Sequence, residues 1–413
     1  MKAEIITIGD ELLIGQVIDT NSAWIGQRLT EAGIQLYQRT ACGDSREQIL
    51  DSLHDAALRA DIIILTGGLG PTNDDITKAT LCEYFNTTLI ENKIVKDWVC
   101  KIFNNKNLPM LESNLLQAMV PLNCEILFNR TGTAPGMWFN ENNKIFISLP
   151  GVPFEMKTIF DEEVLPRIKQ KFSLPSIFNR TINTVSIGES FLADKIKYIE
   201  DELPSHIKLA YLPSVNMVRL RLSAFGENKS LLEKEVNVFA EKIYFEIAEY
   251  IYGEGNDSLA NSVGKLLMQN NKTVATAESC SGGYIAHQLT SVAGSSKFYL
   301  GSIIAYSYAI KESELGVSKN VLNTLGAVSE ECVVQMAEGI FKKFNVDYAI
   351  SASGIAGPDG GTNEKPVGTV WIAIATKEKT ITKKSNFGEN REYNIQKTSI
   401  VALDMLRKIL LEL

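Results

Sequence analysis

At 413 residues the chain exceeds what one ordinary hydrophobic core can serve, and two or three domains are expected. Its formal net charge of -8 sets up no general attraction to nucleic acid or to an anionic membrane, and no sustained basic patch offsets it. The six cysteines, Cys42, Cys82, Cys100, Cys124, Cys280 and Cys332, show no C-x-x-C spacing, which argues against a zinc site or a disulfide framework and for reduced cytoplasmic thiols.

The chain starts with Met1-Lys-Ala-Glu-Ile-Ile-Thr-Ile, which enters a strand without an apolar leader. No later run approaches the roughly 18 apolar residues of a membrane span, so a cytoplasmic protein without a membrane partner is expected. Residues 1–170 alternate short apolar strands (Glu4 to Ile8, Ile62 to Thr66, Lys144 to Leu149) with amphipathic helices such as Ser22 to Ala32. That alternation predicts an α/β domain with a mainly parallel sheet, whose ligand site lies at the strand ends.

Two carboxylate-bearing turns leave those ends. Gly9-Asp-Glu-Leu-Leu-Ile-Gly15, followed by Asp19-Thr-Asn21, comes off the first strand, and Thr66-Gly-Gly-Leu-Gly-Pro-Thr-Asn-Asp-Asp75 comes off another. A glycine loop beside Asp74 and Asp75 can hold a phosphate on N–H groups and a divalent metal on oxygen ligands, an arrangement that suits Mg²⁺. Equally, Asp74 and Asp75 serve as caps for the helix that follows.

Residues 171–252 read as a compact β-α-β-β-α module, KH-like in order: strand Thr181 to Ile187, helix Ser190 to Leu203, two strands over Leu209 to Ala224, and a helix Ser230 to Tyr250. It lacks the G-x-x-G clamp of nucleic-acid-binding KH modules, so a spacer or dimerisation role is expected and nucleic acid is not. Gly253-Glu-Gly-Asn-Asp257 reads as a linker into a third domain, 253–413.

In that domain a strand at Thr273 to Thr276 runs into Ala277-Glu-Ser-Cys-Ser-Gly-Gly283 and then a helix, Tyr284 to Thr290. A helix N-terminus after a small polar turn offers N–H groups to a phosphate or carboxylate, although Ser279 and Ser281 work equally as caps with no ligand. Further on, Ser353-Gly-Ile-Ala-Gly-Pro-Asp-Gly-Gly-Thr362 and Lys365-Pro-Val-Gly-Thr369 bring backbone N–H groups near a polar ligand, or simply form a long hairpin loop. Only three histidines are present, His54, His206 and His287, in three separate regions. A Ser-His-Asp triad is therefore not expected, with His287 alone left open.

The phrases GDELLIG, DTN, TGGLGPTNDD, GTAPG (Gly132 to Gly136) and LPGVPFEM (Leu149 to Met156) resemble the N-terminal domain of the CinA family, and AESCSGG, GSSKFYLGSIIAYS with Lys311, SGIAGPDGG and KPVGTVWIAI resemble its C-terminal, PncC-type half. The resemblance implies an α/β multidomain protein. Its parts are a molybdopterin-binding-like α/β domain, a small α+β KH-like module and a C-terminal α/β amidohydrolase domain. It implies a nicotinamide-nucleotide amidohydrolase that converts nicotinamide mononucleotide to nicotinate mononucleotide and ammonia, and a metal-dependent ADP-ribose pyrophosphatase in the N-terminal domain. A homodimer is the family expectation. The competing expectation is a non-catalytic nucleotide-binding or scaffolding protein.

Residue by residue, the resemblance implies Ser296 as nucleophile with Lys311 as its base, and Arg391 and Ser353 beside them. It places Glu278, Ser279, Gly282, Gly283, Tyr306 and Gly354 around the substrate. In the N-terminal domain it implies nucleotide or phosphate contacts from Gly67, Gly68, Gly70, Thr72, Asn21 and Asn114. Metal ligands there are Asp10, Glu11, Asp74 and Asp75, for a divalent ion such as Mg²⁺ with K⁺ as a companion. The amidase needs no cofactor. For Lys311 to act as a base its pKa must fall, which requires burial or a nearby cation; otherwise it is an ordinary surface lysine. The chain departs from the family pattern at Leu115, Leu116 and Ile395, where basic residues are common, and at Ser281 and Ser353, where threonine is common.

Overall fold

The computed structural model describes residues 1–72 and 75–413, which fall into two compact units. The first comprises Met1–Phe178 with Phe225–Leu232, and the second Asn179–Ala224 with Glu233–Leu413. No helix among the described residues is long and apolar enough to cross a membrane.

The first unit is built on a six-stranded sheet in the order Gln35–Cys42, Lys2–Ile8, Ile62–Thr66, Lys144–Leu149, Gly136–Glu141, Glu125–Leu127. The first four strands are parallel and the last two antiparallel. Alternation places Ile5, Ile62, Ile64 and Ile147 in one core and Ile6, Ile8, Ile63 and Leu65 in the other, so both faces of the central strands are covered. The pairs Thr7↔Thr66 and Thr66↔Leu149 fix the register, and the loops after these strands leave from one edge of the sheet.

The second unit contains two sheets. The antiparallel one runs Ile207–Ser214, Met217–Gly226, Ser176–Val185, Ile251–Glu254, with helices Glu189–Asp201 and Lys229–Ile247. The other runs Tyr299–Ile304, Val274–Glu278, Tyr348–Gly354, Thr369–Ala375, Thr380–Asn386, parallel across its first three strands and antiparallel beyond. Helices Leu259–Gln269 and Arg391–Leu410 contribute to the core on one face, and Glu330–Phe344 to the core on the other. The helix Arg391–Leu410 starts at Asn390, whose side chain accepts from Tyr393 N–H.

One expectation changes. Gly253-Glu254 is not free linker, because Ile251–Glu254 adds an antiparallel strand to Ser176–Val185. Most of the middle module falls in the same compact unit as the C-terminal domain, while Phe225–Leu232 falls in the first unit. A buried connection ties this strand to the last helix: the Arg407 guanidinium donates to the carbonyls of Ile251 (2.9 Å) and Glu249 (2.7 Å) and pairs with Asp404 at 2.7 Å. Asp404 in turn accepts from Ser186 Oγ at 2.8 Å.

Candidate functional site

The strand Val274–Glu278 ends in the turn 279–283, and the short helix Tyr284–Thr290 follows. Gly283 adopts φ 94°, where a Cβ would sit 2.9 Å from the Ile304 side chain, so the sharp entry into the helix needs glycine. The carboxylate of Glu278 organises this turn. Fully buried, it accepts from Ser281 Oγ (2.7 Å), Thr276 Oγ1 (3.2 Å) and the N–H groups of Gly283 (3.1 Å), Ile285 (3.1 Å) and Ala286 (2.8 Å). The helix N–H groups expected to meet a ligand are therefore bonded to Glu278, which caps the helix instead of contacting a ribose. Ser281 belongs to the same cap.

Next to Glu278, the turn presents a different kind of contact. Lys311, on the helix Tyr308–Leu315, is only 1% exposed, and its Nζ donates to Ser279 Oγ at 2.9 Å and to Ala305 O at 2.5 Å. Burial pushes its pKa below the ordinary lysine value, while the nearby Cys332 and Cys280 act in the opposite sense. Both thiols are raised by burial, Cys280 to about 12 and Cys332 to about 11, so neither is a thiolate at neutral pH. The hydroxyl in contact with the perturbed lysine is Ser279, not Ser296. Ser296 stands exposed on the 3-10 turn Ser295–Lys297, and its side chain makes no hydrogen bond among the described residues.

The remaining C-terminal candidates gather on two features. Ser353 is buried at the end of its strand and donates to Ala327 O at 2.7 Å; at Gly354 a Cβ would come within 2.6 Å of Thr369 O. The glycine tract connects the antiparallel neighbours Tyr348–Gly354 and Thr369–Ala375, so it is a long hairpin loop, held by the last helix. Arg391 Nη1 donates to Gly357 O at 2.7 Å and Asn394 Nδ2 to Ala356 O at 2.9 Å. Arg391 Nη2 also donates to the hydroxyl of Tyr306 at 3.3 Å. Tyr306 lies beyond its strand and is 66% exposed.

A cavity of about 550 Å³ is lined by Ser281, Gly282, Gly283, Tyr284 and His287 of the turn and short helix and by Arg391, Glu392, Ile395 and Gln396 of the last helix. The chain thus passes from Ser279, in contact with Lys311, straight into the cavity wall. The contributions of Glu392 and Gln396 had no signal beyond their spacing on one helix face with Arg391 and Ile395.

In the first unit the glycine loop folds around Asp75, whose carboxylate accepts from Gly70 N–H (2.8 Å), Thr72 N–H (2.9 Å) and the Thr72 hydroxyl. Asp74 lies outside the described residues. Gly67 and Gly68 take φ of 119° and 64°. Asp10 Oδ1 accepts from Asp44 N–H (3.3 Å) while Asp10 N–H donates to Asp44 Oδ2 (3.0 Å), and Glu11 is exposed beside it. Among the described residues, which do not include Asp74, no group of three or more His, Cys, Asp or Glu side chains forms a metal-binding cluster. Asn21 Nδ2 donates to Gly151 O (2.7 Å) and Thr66 Oγ1 (3.3 Å), leaving its Oδ1 buried without a partner among the described residues. Asn114 does not join this group through its Oδ1, which accepts from Leu111 N–H at 3.1 Å in its own short helix turn.

Comparison with known families follows the three sequence segments. Residues 4–170 match the family described as "Probable molybdopterin binding domain", residues 179–253 the "Damage-inducible protein CinA KH domain", and residues 256–410 the "CinA C-terminal domain". A CinA-like protein of Cytophaga hutchinsonii is 49% identical, covering 99% of this chain and 98% of the relative. Another, from Flavobacterium psychrophilum, is 45% identical over 100% of this chain and 99% of its own. A solved CinA superfamily protein of Klebsiella pneumoniae is 33% identical, covering 38% of this chain and 97% of its own, at a TM-score of 0.37. With these domains in this order and relatives matched over nearly their whole length, the chain belongs to the CinA family.

Proposed function

We propose that the C-terminal domain is an amidohydrolase that converts nicotinamide mononucleotide to nicotinate mononucleotide and ammonia. The observation that carries this reading is the contact between buried Lys311 Nζ and Ser279 Oγ, 2.9 Å apart. Amide hydrolysis needs a nucleophile and a base able to take its proton, and a lysine with a lowered pKa beside a serine hydroxyl supplies both. In this scheme neutral Lys311 accepts the Ser279 proton as Oγ attacks the carboxamide carbon. The ammonium then protonates the leaving amide nitrogen, which departs as ammonia, and Lys311 next takes a proton from the water that cleaves the acyl-serine ester and returns it to Ser279 Oγ. Arg391, pinned to Gly357 O on the cavity wall, is the cation for the nucleotide phosphate. The family resemblance assigns the nucleophile to Ser296 instead, and the two assignments predict opposite results for serine substitutions.

The test is ammonia release from nicotinamide mononucleotide by the full chain and by Lys311→Met. Turnover is expected in the wild type, with a loss of roughly 10²–10⁴-fold in the variant. No wild-type ammonia, with tight mononucleotide binding, would instead support a non-catalytic nucleotide-binding protein.

For the N-terminal unit we infer binding of a nucleotide diphosphate, supported by the glycine loop at Gly67–Gly70 and the unpartnered Oδ1 of Asn21 at the same sheet edge. A metal-assisted step would draw on Asp10, Glu11 and Asp75, with Asp74 outside the described residues. ADP-ribose cleavage that needs added Mg²⁺ and stops with chelator would establish a pyrophosphatase; binding without product would establish a binding domain.

A further inference from the structure

A second cavity, of about 360 Å³, lies in the same compact unit and shares Tyr284 and Gln396 with the first as a common wall. Its apolar surface comes from Met217 and Tyr252 of the middle module and from Ile400 and Leu403 of the last helix. Gln396, Ser399, Ile400 and Leu403 recur at helical spacing, so one face of that helix floors the cavity. Among the described residues its lining carries no charged side chain, in contrast to the first cavity with Arg391 and Glu392.

The hydroxyls of Tyr252 and Ser258 have partners, whereas other polar side chains of the lining have none among the described residues. Ser399 is 1% exposed, and its Oγ makes no hydrogen bond among the described residues, although a helical serine can ordinarily bond the carbonyl one turn back. The side-chain amides of Gln288 and Gln396 likewise make no hydrogen bond among the described residues. A buried hydroxyl left unmade is unfavourable, and within a lined cavity it marks where a ligand atom belongs. Apolar walls with an aromatic ring, two neutral amides and a hydroxyl suit a planar ring that carries both donors and acceptors. Glutamine amides match the edge of adenine in this way, and bases stack on aromatic side chains.

We propose that the second cavity is a nucleobase subsite, so that the unit binds a dinucleotide with its phosphates at Arg391 and its second base against Tyr252 and the last helix. The proposal rests on the nucleotide reading of the first cavity and extends it. A dinucleotide spans the shared wall of Tyr284 and Gln396, whereas a mononucleotide leaves the second cavity empty.

The experiment is calorimetric titration of the full chain with nicotinamide mononucleotide, adenosine and nicotinamide adenine dinucleotide. The dinucleotide is expected to bind about 10-fold or more tightly than the mononucleotide, since a stacked base adds that much. Adenosine alone competes with the dinucleotide and not with the mononucleotide, which separates a free nucleoside from the linked ligand. Ser399→Leu fills the cavity, and Gln288→Leu repeats the test at a half-buried position that tolerates change; thermal unfolding verifies that each is folded. Both abolish adenosine binding and bring the dinucleotide to the affinity of the mononucleotide. Equal affinity for the two nucleotides, or adenosine binding unchanged in both variants, overturns the proposal. Ammonia release is measured separately, so a chain that binds adenosine through Gln288 and Ser399 yet releases no ammonia contradicts the amidase and leaves the subsite standing.

Discussion

Asp75 and Glu278 do the same structural job in two parts of the molecule, and the difference between them shows where chemistry can arise. Each follows or ends a strand, and each folds a glycine-rich turn by accepting N–H groups. Asp75 does so at a partly exposed loop with Gly70 and Thr72 as donors. Glu278 does so in complete burial, with Gly283, Ile285 and Ala286 N–H and two hydroxyls as donors. Around the deeper turn there is room for one more polar contact without water, and Lys311 occupies it against Ser279. The perturbed base thus contacts the residue immediately after the carboxylate that the motif makes conspicuous.

The largest expected effect tests that contrast through pH. Because burial lowers the Lys311 pKa, its neutral form grows as pH rises through the folded value. Ammonia release should climb with pH and flatten above that value, while Lys311→Met stays roughly 10²–10⁴-fold lower and flat. A bell-shaped profile that survives in Lys311→Met would break the comparison.

Next in size is the structural contrast itself. Glu278→Ala leaves several buried donors without an acceptor, and a loss of at least ~3 kcal/mol in denaturant unfolding is expected. A smaller effect is expected for Asp75→Ala, about 1 kcal/mol, because water replaces the carboxylate at a partly exposed loop. Near-equal losses would show that burial does not separate the two turns.

Between these lies Lys78 of the first unit. It is buried, its Nζ donates to Gln117 O at 3.0 Å, and burial lowers it to about 8 from 10.5. The unfolded chain then holds the extra proton between these values, so stability rises with pH. The penalty for burying the charged amine acts in full below about 8 and is relieved above about 10.5, a difference of roughly 3 kcal/mol. Lys78→Met should flatten the slope in urea unfolding measured at pH 8 and pH 10.

The sequence is legible where its signals are local. The helix Leu259–Gln269 and the strand-turn-helix ending at Tyr284–Thr290 follow directly from apolar spacing and small polar turns. The resemblance brings Lys311, Ser279 and Arg391 to one domain, but spacing cannot show that Lys311 is buried, because its burial depends on the packing of a separate helix. Nor can it show that Lys311 reaches Ser279 sooner than Ser296. Gly253 and Asp257 read as a linker because glycine and polar residues also end edge strands; pairing of Ile251 with Thr184 is set by contacts far along the chain. Arg407 and Asp404 hide in an otherwise ordinary helix repeat, and the carbonyls that Arg407 reaches lie more than a hundred residues away.

The most direct test compares ammonia release from nicotinamide mononucleotide by Ser279→Ala and Ser296→Ala. The Lys311–Ser279 contact predicts that Ser279→Ala falls roughly 10²–10⁴-fold, as Lys311→Met does, while Ser296→Ala keeps more of the wild-type rate. A Ser279→Ala protein with the wild-type rate, beside an inactive Ser296→Ala, would contradict it.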